Sequence, residues 1–423
     1  MKSLDAKLAN IHADPSGARD FILADAKDAD MATGLAAPGV DLRTGKRRSL
    51  ADYRDQMREV VRQGLVDIML MSASTSEQLT IRERLFDDSP VTPAARANDT
   101  TDIHLPAGGT YGAAPSRPFA TALIDHIQAG RIDPTPSERR LGANLGLYSI
   151  TPNNDIAFDY PTLLAYKDFR VEAERKGFRH FLEVFDPNAC GATCPADLGR
   201  YINDLIVRTL AGVATSARPI FLKIAYHGPQ AMEELAAYDP HLVPGILGGA
   251  SGTTHDAFHL LEEAKRHGAR AALFGRKINN SEHQLTFVRF LRAIADGQLR
   301  ADEAVRAYHG ELQRLGIKSI RALKDDLELT TTATRYSGAT TKASTTHAPK
   351  PAPAPSSPPR PTAGRWVSPK AVVVASPAGF PAKPDGSPDF KRMTSAQKVA
   401  LARQRMQSDL AKAGGCDGNG RAR

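Results

Sequence analysis

Cysteine, tryptophan and long apolar runs are scarce in this 423-residue sequence, which has three cysteines and one tryptophan. No stretch approaches the roughly 18 consecutive apolar residues that a membrane-spanning helix requires. The N-terminal residues, Met1 to Asp5, are polar and do not begin the apolar core of a secretory signal peptide. We therefore expect a cytoplasmic protein that does not insert into a membrane.

The cysteines are too few for the common types of structural zinc site. Cys190 and Cys194 are separated by three residues, and Cys416 lies close to the end of the sequence. A structural zinc ion takes about four ligands, and no second cysteine pair is present to supply them. We interpret the thiols as structural or incidental, with a redox or metal-binding role as the alternative.

Positive charge is unevenly distributed along the chain. The net charge is +8, yet residues 331–423 contain 15 Lys and Arg against 4 Asp and Glu, whereas residues 1–330 contain 40 against 43. The basic character therefore belongs to the C-terminal part. Nothing in the charge of residues 1–330 indicates nucleic-acid binding.

Residues 331–423 are rich in Pro, Ala, Ser and Thr. Such a segment buries too little apolar surface to offset its chain entropy, so we expect a mostly disordered basic tail. It contains Trp366 beside a short apolar run, and a candidate short helix near 395–413 that Thr394 or Ser395 would cap. These pieces could dock on an acidic protein partner. The alternative is a solvated tail without a binding role.

Residues 1–330 alternate short apolar strands with longer helical stretches, which is typical of βα repeats around a parallel sheet. Eight such units over this span favour an α/β fold, the closed (β/α)8 TIM barrel. Pro93 interrupts the third strand, and residues 98–141 form a candidate lid, with a decorated βα connection as the alternative. The predicted strands are Phe21–Ala24, Val66–Leu70, Val91–Ala95, Leu145–Ile150, Phe181–Phe185, Ile220–Ala225, Val243–Leu247 and Ala271–Phe274.

Alternation along three of these strands directs ionisable side chains to the barrel interior. On the sixth strand, Leu222 and Ile224 belong to an apolar outer set, which leaves Lys223 facing inward. The same reasoning places Glu183 of the fifth strand and Asp25 of the first strand inward. The sequence thus predicts a lysine and two carboxylates in one interior.

A lysine inside a barrel must be paired with an anion or lose its proton, because an unpaired buried ammonium is costly. The neutral amine is the form that adds to a carbonyl group. Lys223 is therefore a candidate nucleophile. The alternative is an ion pair between Lys223 and Glu183 that only fills the barrel.

Glycine-bearing loops follow the last two predicted strands. Gly248, Gly249 and Ser251 follow the seventh strand, and Gly275 and Arg276 follow the eighth. Loops at these two positions commonly bind phosphate in TIM barrels through backbone N–H groups and a cation. We interpret them as a candidate phosphate site, with simple tight turns as the alternative.

The sequence resembles a known family at these residues. The runs Leu222–Gly228, Gly248–Gly249 and Gly268–Ile278 look like the class I aldolases of the deoxyribose-phosphate, archaeal-type fructose-bisphosphate and tagatose-bisphosphate group. The resemblance covers about residues 175–280, and the tail has no counterpart in it. It implies that Lys223 forms a Schiff base and that neither a metal nor a cofactor takes part.

Further site residues are implied by the resemblance. Gly249, Gly275 and Arg276 would hold a substrate phosphate. Glu183 matches the strand-five glutamate that tagatose-bisphosphate aldolases use for proton transfer. Asp25 falls where members of the family have an aspartate near the substrate.

Two departures from the family indicate which of its branches this sequence resembles most. Archaeal-type fructose-bisphosphate aldolases have a tyrosine at the end of strand five, where this sequence has Phe185 and Asp186. The deoxyribose-phosphate branch has a second lysine on strand seven, and Val243–Leu247 contains none. The tagatose-like branch is the most similar. Additional acid/base candidates are Tyr148, Tyr226 and His227, with a packing or supporting role as the alternative for each.

The sequence therefore predicts a carbon–carbon lyase that acts on a ketone, often in a sugar phosphate, and is most like tagatose-bisphosphate aldolase. Lys223 would form the imine, and Glu183 or Asp25 would transfer protons. We expect a homo-oligomer. The alternatives are a related phosphosugar isomerase or synthase on the same barrel, and an inactive barrel that acts as a scaffold through its tail.

Overall fold

The computed structural model describes residues 1–330, except 43, 105, 250 and 251, and residues 379–404, except 385–386, 395–396, 399 and 402–403. The chain divides into two units, Met1–Ser344 and Thr345–Arg423. Trp366 and most of the candidate helix near 395–413 lie outside the described residues. In the described part of that helix, the Thr394 hydroxyl accepts a hydrogen bond from the Gln397 N–H at 3.3 Å.

Eight parallel strands among the described residues close into a barrel, each hydrogen-bonded to its neighbours in chain order. Every one overlaps a predicted strand, so the predicted (β/α)8 barrel is confirmed. The strands are β1 Ile22–Lys27, β2 Ile68–Met71, β3 Thr92–Arg96, β4 Leu145–Ile150, β5 Arg179–Val184, β6 Leu222–Ile224, β7 Gly245–Leu247 and β8 Ala271–Phe274.

Helices follow the strands and cover the outside of the barrel, except for the first helix, which precedes β1 and packs against the N-terminal end. The longer ones are α1 Ser3–Ala13, α2 Leu50–Gln63, α3 Ile156–Arg175, α4 Leu198–Ala211, α5 Pro229–Tyr238, α6 Thr254–Arg266, α7 Gln284–Ala295 and α8 Ala301–Arg314. Shorter helical segments include Asp30–Thr33, Ala73–Ser76, Glu77–Arg82, Ile124–Ala129, Arg276–Asn279 and Leu323–Asp326. None of the described helices is long and apolar enough to cross a membrane.

Two helices begin at capping boxes that their sequences specify. Ser49 accepts a hydrogen bond from the Asp52 N–H at the start of α2, and the Asp52 carboxylate accepts one from the Ser49 N–H. Thr253 and Asp256 make the same reciprocal pair at the start of α6. Each pair satisfies two backbone donors that the helix itself leaves without partners.

The barrel interior is apolar at its N-terminal end. Side chains such as Ile22, Phe181 and Phe221 fill it, and Phe181 and Phe221 stack with their ring centres 4.5 Å apart. Helix α1 adds Leu4, Leu8 and Ile11 to the same cluster and so closes this end. A second, larger cluster lies between the strands and the surrounding helices. The open end of the barrel is therefore the C-terminal one.

Strand β1 presents the opposite face to the interior from the one that the sequence predicted. Ile22 and Ala24 belong to the interior cluster, whereas Leu23 belongs to the outer cluster that includes Tyr53 of α2. Asp25 shares the parity of Leu23 and lies outside the barrel, so the prediction that it faces inward is wrong. The predicted segment Phe21–Ala24 is apolar throughout, and its sequence carries no alternation from which the inward face could be deduced.

Asp25 instead forms a buried pair with Lys27 on the outer side of β1. The Lys27 ammonium lies 3.6 Å from the Asp25 carboxylate, and neither side chain is exposed. Lys27 also donates to the Asn279 side chain at 3.4 Å and lies over the ring of Tyr53, 5.8 Å from its centre. Burial raises the pKa of Asp25 to about 6 and lowers the pKa of Lys27.

The segment after β3 folds over the open end of the barrel. It contains two short antiparallel strands, Asp99–Thr100 and Pro118–Phe119. Ile103 packs against Phe185, Ala225 and Leu247, which lie at the C-terminal ends of three barrel strands. This packing agrees with the candidate lid.

Replacing Lys27 with methionine should destabilise the fold, because Asp25 would remain buried without its cation. We expect the free energy of unfolding at pH 8 to fall by about 3–5 kcal/mol, the usual cost of breaking a buried ion pair. The loss should be smaller at pH 5, below the pKa of about 6, because the carboxyl then binds a proton and no longer needs a cation. Urea denaturation at the two pH values measures the difference.

The double variant Asp25→Leu/Lys27→Met is the matched control. It should regain most of the lost stability, because replacing both partners of a buried pair by apolar groups of similar volume is often neutral. A Lys27→Met variant as stable at pH 8 as the native chain would contradict the buried pair.

Candidate active site

A chain of polar side chains crosses the interior at the C-terminal end of the barrel. Its members are all buried, with exposed fractions between 0 and 7%. They are placed next to each other by the strand register, which aligns Ser149 with Glu183 and Glu183 with Lys223. The members are Asp28, Arg96, Ser149, Glu183 and Lys223.

Lys223 and Glu183 form the centre of this chain. Lys223 Nζ lies 2.5 Å from Glu183 Oε1, and the two side chains are 9% and 1% exposed. Both were predicted to face the interior, and the structure brings them into direct contact. A buried ammonium can be held here because a carboxylate lies beside it.

The second oxygen of Glu183 has its own partners. Ser149 Oγ donates to Glu183 Oε2 at 2.6 Å, and the Arg96 guanidinium lies 3.7 Å from the same oxygen. These contacts leave Oε1 directed at Lys223. The orientation of the carboxylate is therefore determined from both sides.

Arg96 joins Glu183 to Asp28. Its Nε donates to Asp28 Oδ2 at 2.6 Å, and it also contacts Ser149 Oγ at 3.4 Å. Burial acts to lower the pKa of the Arg96 guanidinium, but the Asp28 and Glu183 carboxylates outweigh it and raise the pKa above its usual value. Arg96 is therefore a fixed positive charge between two buried carboxylates.

Asp28, Arg96 and Ser149 were not identified from the sequence. Arg96 directly follows the predicted third strand, and Asp28 comes four residues after the predicted first strand. Extending the alternation of Ile22 and Ala24 one residue past the end of β1 reaches Asp28, which contacts Arg96 in the interior, where Asp25 had been predicted. The alternation that identifies Asp28 is present in the sequence. It leads to Asp28 only if Ile22 and Ala24 are assigned to the inward face of β1.

Two glycines of the C-terminal loops, Gly248 and Gly275, lie where no side chain fits. A Cβ on Gly248 would come within 2.3 Å of the Phe274 ring, and one on Gly275 within 2.2 Å of the Ala26 carbonyl oxygen. Gly249 has φ +62°, a left-handed conformation that favours glycine. Glycine backbone, without side chains, therefore lies at the end of the barrel in both loops.

Two basic residues, Arg276 and Lys277, lie next to the glycine loops. Arg276 starts the short helix Arg276–Asn279 directly after Gly275 and is half-buried. Lys277 donates to the Gly252 carbonyl at 2.7 Å and so joins the loop after β8 to the loop after β7. Burial lowers the pKa of Lys277 to about 8. Ser251, the remaining candidate of this group, lies outside the described residues.

The three additional acid/base candidates lie in three different environments. Tyr148 stacks on Phe169 of α3 outside the barrel, with ring centres 4.4 Å apart. Tyr226 is buried, and burial raises the pKa of its hydroxyl above the usual value. His227 Nε2 lies 2.8 Å from Asp186 Oδ1 at the open end. His227 is thus the one of the three that is paired with a carboxylate near the end of β5.

Cys190 and Cys194 are joined by a disulfide in the loop after β5. Within the described part of the chain, no group of three or more His, Cys, Asp or Glu side chains is placed to hold a metal ion. Cys416 lies outside that part.

Comparison with known proteins identifies the fold. No family model and no curated protein match the chain.

An archaeal fructose 1,6-bisphosphate aldolase matches with a TM-score of 0.51 and 14% identity, over 69% of this chain and 99% of that chain. A Schiff-base-forming fructose-1,6-bisphosphate aldolase gives a TM-score of 0.50 and 15% identity, over 68% and 99%. The fructose-bisphosphate aldolase of Slackia heliotrinireducens gives 0.51 and 13%, over 74% and 92%. At these identities the similarity establishes the shared fold.

Replacing Arg96 with methionine should destabilise the protein, because Asp28 and Glu183 lose the cation between them. We expect the free energy of unfolding at pH 7 to fall by about 3–5 kcal/mol. The control is Arg82→Met, whose pair with Glu77 is on the surface, with Arg82 66% exposed. It should change stability by less than about 1 kcal/mol. Equal stabilities of the two variants in urea denaturation would contradict the role given to Arg96.

Proposed function

We propose that this chain is a class I aldolase in which Lys223 forms an imine with the ketone of a phosphorylated sugar. The observation that carries the proposal is the 2.5 Å contact between Lys223 and Glu183 inside the C-terminal end of the barrel. It combines an amine with a proton acceptor at the end where TIM-barrel enzymes carry out their reactions.

The first step is activation of the amine. Glu183 Oε1 is within hydrogen-bonding distance of Nζ, so it can accept a proton and leave the neutral amine that adds to a ketone. Ser149 and Arg96 hold the other carboxylate oxygen, which keeps Oε1 directed at the amine. Only one proton moves in this step, between two atoms already in contact.

Imine formation follows. Nζ adds to the carbonyl carbon and gives a carbinolamine, and Glu183 returns a proton to the new hydroxyl group, which leaves as water. The bond between the α- and β-carbons then breaks. Its electron pair moves into the iminium and forms an enamine, while a carboxylate removes the proton of the β-hydroxyl, which becomes the aldehyde. The enamine is protonated on carbon, and water hydrolyses the imine to release the ketone product.

Glu183 and Asp28 are the carboxylates assigned to these proton transfers. Asp28 replaces Asp25 in this assignment because Asp28 contacts Arg96 in the interior, whereas Asp25 is paired with Lys27 outside the barrel. A carboxylate on each side of Arg96 lets one group serve the lysine and the other serve the substrate hydroxyl. The chemistry requires neither a metal nor a cofactor.

The glycine loops support a phosphorylated substrate. Gly249 and Gly275 are half-buried and place backbone at the end of the barrel, and Arg276 supplies a cation next to it. Gly248 is buried, and its N–H donates to the Leu273 carbonyl, so it shapes the loop without binding the phosphate. Ser251 remains a candidate for the same site. Solved structures that share the fold are of fructose-bisphosphate aldolases, which supports a ketose bisphosphate as the substrate class.

The finer proposal is an enzyme of the tagatose-bisphosphate type. Glu183 contacts the lysine directly, as expected for the proton-transferring glutamate of that branch. Phe185, at the position of a tyrosine acid in the archaeal fructose-bisphosphate branch, packs among apolar side chains. A homo-oligomeric state, a cytoplasmic location and a separate tail from residue 331 that recruits an acidic partner remain predictions.

Reductive trapping tests the imine. Incubation with dihydroxyacetone phosphate and borohydride should add the mass of the reduced adduct to the peptide that contains Lys223, as measured by peptide mass spectrometry. Lys223→Met should abolish the adduct. The control Lys176→Met should keep it, because Lys176 is paired with Asp125 away from the site. An adduct on another lysine, such as Lys27 or Lys277, would refute the assignment.

Replacing Glu183 with glutamine should reduce kcat for cleavage of a ketose bisphosphate by about 10²–10⁴-fold, the usual contribution of a general acid/base. KM should change little, because Glu183 belongs to β5, whereas the proposed phosphate loops follow β7 and β8. Ser149→Ala should reduce kcat by about tenfold, which corresponds to the loss of one hydrogen bond of roughly 1.4 kcal/mol. Assays with both fructose and tagatose 1,6-bisphosphate measure these effects. A Glu183→Gln variant with native kcat would contradict the role of Glu183 in proton transfer.

A further inference from the structure

The chain segment after α8 returns to the open end of the barrel and binds the start of α6. We call residues 322–330 the C-terminal strap; it contains the short helix Leu323–Asp326. Helix α6 directly follows the loop that contains Gly248, Gly249 and Gly252. The strap therefore lies against the segment that connects β7 to the helix behind it.

Three consecutive residues at the start of α6 are bonded to the strap. The Thr254 N–H donates to the Asp326 carboxylate at 2.7 Å, and the Thr253 hydroxyl donates to the Glu328 carbonyl at 2.7 Å. His255 Nδ1 lies 2.7 Å from the Leu327 carbonyl oxygen. Such a set of contacts fixes the position of the backbone at the end of the loop.

The strap is itself held firmly. Asp326 is 2% exposed, and its second carboxylate oxygen lies 2.9 Å from His309 Nε2 of α8. The N–H and hydroxyl of Thr330 donate to the Asp256 carboxylate at 2.9 and 2.6 Å. Burial acts to raise the pKa of Asp326, but the bonds from Thr254 and His309 outweigh it and keep the pKa below its usual value.

The loop after β7 is held at its other side by the loop after β8. Lys277 donates to the Gly252 carbonyl at 2.7 Å. Gly252 has φ +91°, and a Cβ there would come within 2.1 Å of the Asp256 carboxylate. The exit of the loop therefore lies between Lys277 on one side and the strap on the other.

Two protein carboxylates, Asp326 and Asp256, already accept the backbone N–H groups of Thr254 and Thr253 at the N-terminus of α6. A substrate phosphate therefore has to be bound by the preceding glycines and by the loop after β8, and not by the end of α6. The value of such a backbone site depends on its being held in place before the ligand arrives.

We propose that the C-terminal strap positions the phosphate-binding loop, with Asp326 as the positioning residue and a phosphate monoester of the substrate as the ligand. The proposal rests on the phosphate site of the proposed function. Asp326 does not touch the ligand in this scheme. It acts through the Thr254 N–H, which fixes the start of α6 two residues after Gly252.

Substitution at Asp326 separates positioning from simple electrostatics, because the two predict opposite signs. Removing a negative charge near an anion site should strengthen phosphate binding if only charge mattered. If Asp326 positions the loop, Asp326→Ala should instead raise the Kd for inorganic phosphate by about tenfold, and Asp326→Asn, which keeps an acceptor for the Thr254 N–H, by about threefold. Isothermal titration of the full chain with inorganic phosphate measures both.

The matched control is Asp325→Asn, which removes the same charge from the exposed neighbouring residue. It should bind phosphate within twofold of the native chain. Asp326→Asn keeps the size and shape of the side chain, so it provides the test if Asp326→Ala does not fold. A lower Kd in either Asp326 variant, a Kd equal to that of the control, or a native chain that binds no phosphate would overturn the proposal.

Reductive trapping distinguishes this proposal from the proposed function. In Asp326→Ala, the dihydroxyacetone phosphate concentration for half-maximal labelling of Lys223 should rise about tenfold, while that for unphosphorylated dihydroxyacetone should stay unchanged. Equal rises for both ketones would contradict a role in phosphate binding. If phosphate binding depends on Asp326 but Lys223 is never labelled, the strap is supported and the imine chemistry fails.

Discussion

The pairing of Lys223 with Glu183 is the interaction on which the rest of the site depends. An ammonium inside a closed barrel requires an anion within a few ångströms, and Glu183 supplies it at 2.5 Å from the neighbouring strand. That carboxylate is oriented in turn by Ser149 and Arg96, and Arg96 is held by Asp28. Charges of opposite sign thus alternate across the interior, so that each buried charge lies beside one of the opposite sign.

Strand β1 and the residue after it carry two separate groups of buried charges, one on each face. Asp28 faces the interior and contacts Arg96, while Asp25 and Lys27 lie on the other side beneath Tyr53 of α2. Because successive side chains point to opposite faces of a strand, three positions separate an interior carboxylate from an outer one. The same geometry explains why the wrong inward face for β1 led to Asp25, and not Asp28, as the predicted interior carboxylate.

The loops at the open end are positioned from outside the barrel. Phe274 and Ala26 leave no room for a side chain at Gly248 and Gly275, so only glycine fits at these two positions. The strap and Lys277 hold the end of the β7 loop through hydrogen bonds to Thr254 and Gly252. A rigid barrel provides the chemical groups, and peripheral segments determine where the flexible connections lie.

The order of eight strands, the inward orientation of Glu183 and Lys223, and the glycines after β7 and β8 were all contained in the sequence, because period-two alternation and turn chemistry are local properties. The inward face of β1 was not, since Phe21–Ala24 is apolar on both sides and only the packing of α2 against it decides which side is outer. Arg96, Ser149 and the strap became visible only in the folded chain. Their roles depend on contacts between residues several tens of positions apart, which barrel closure and the return of the segment after α8 bring together.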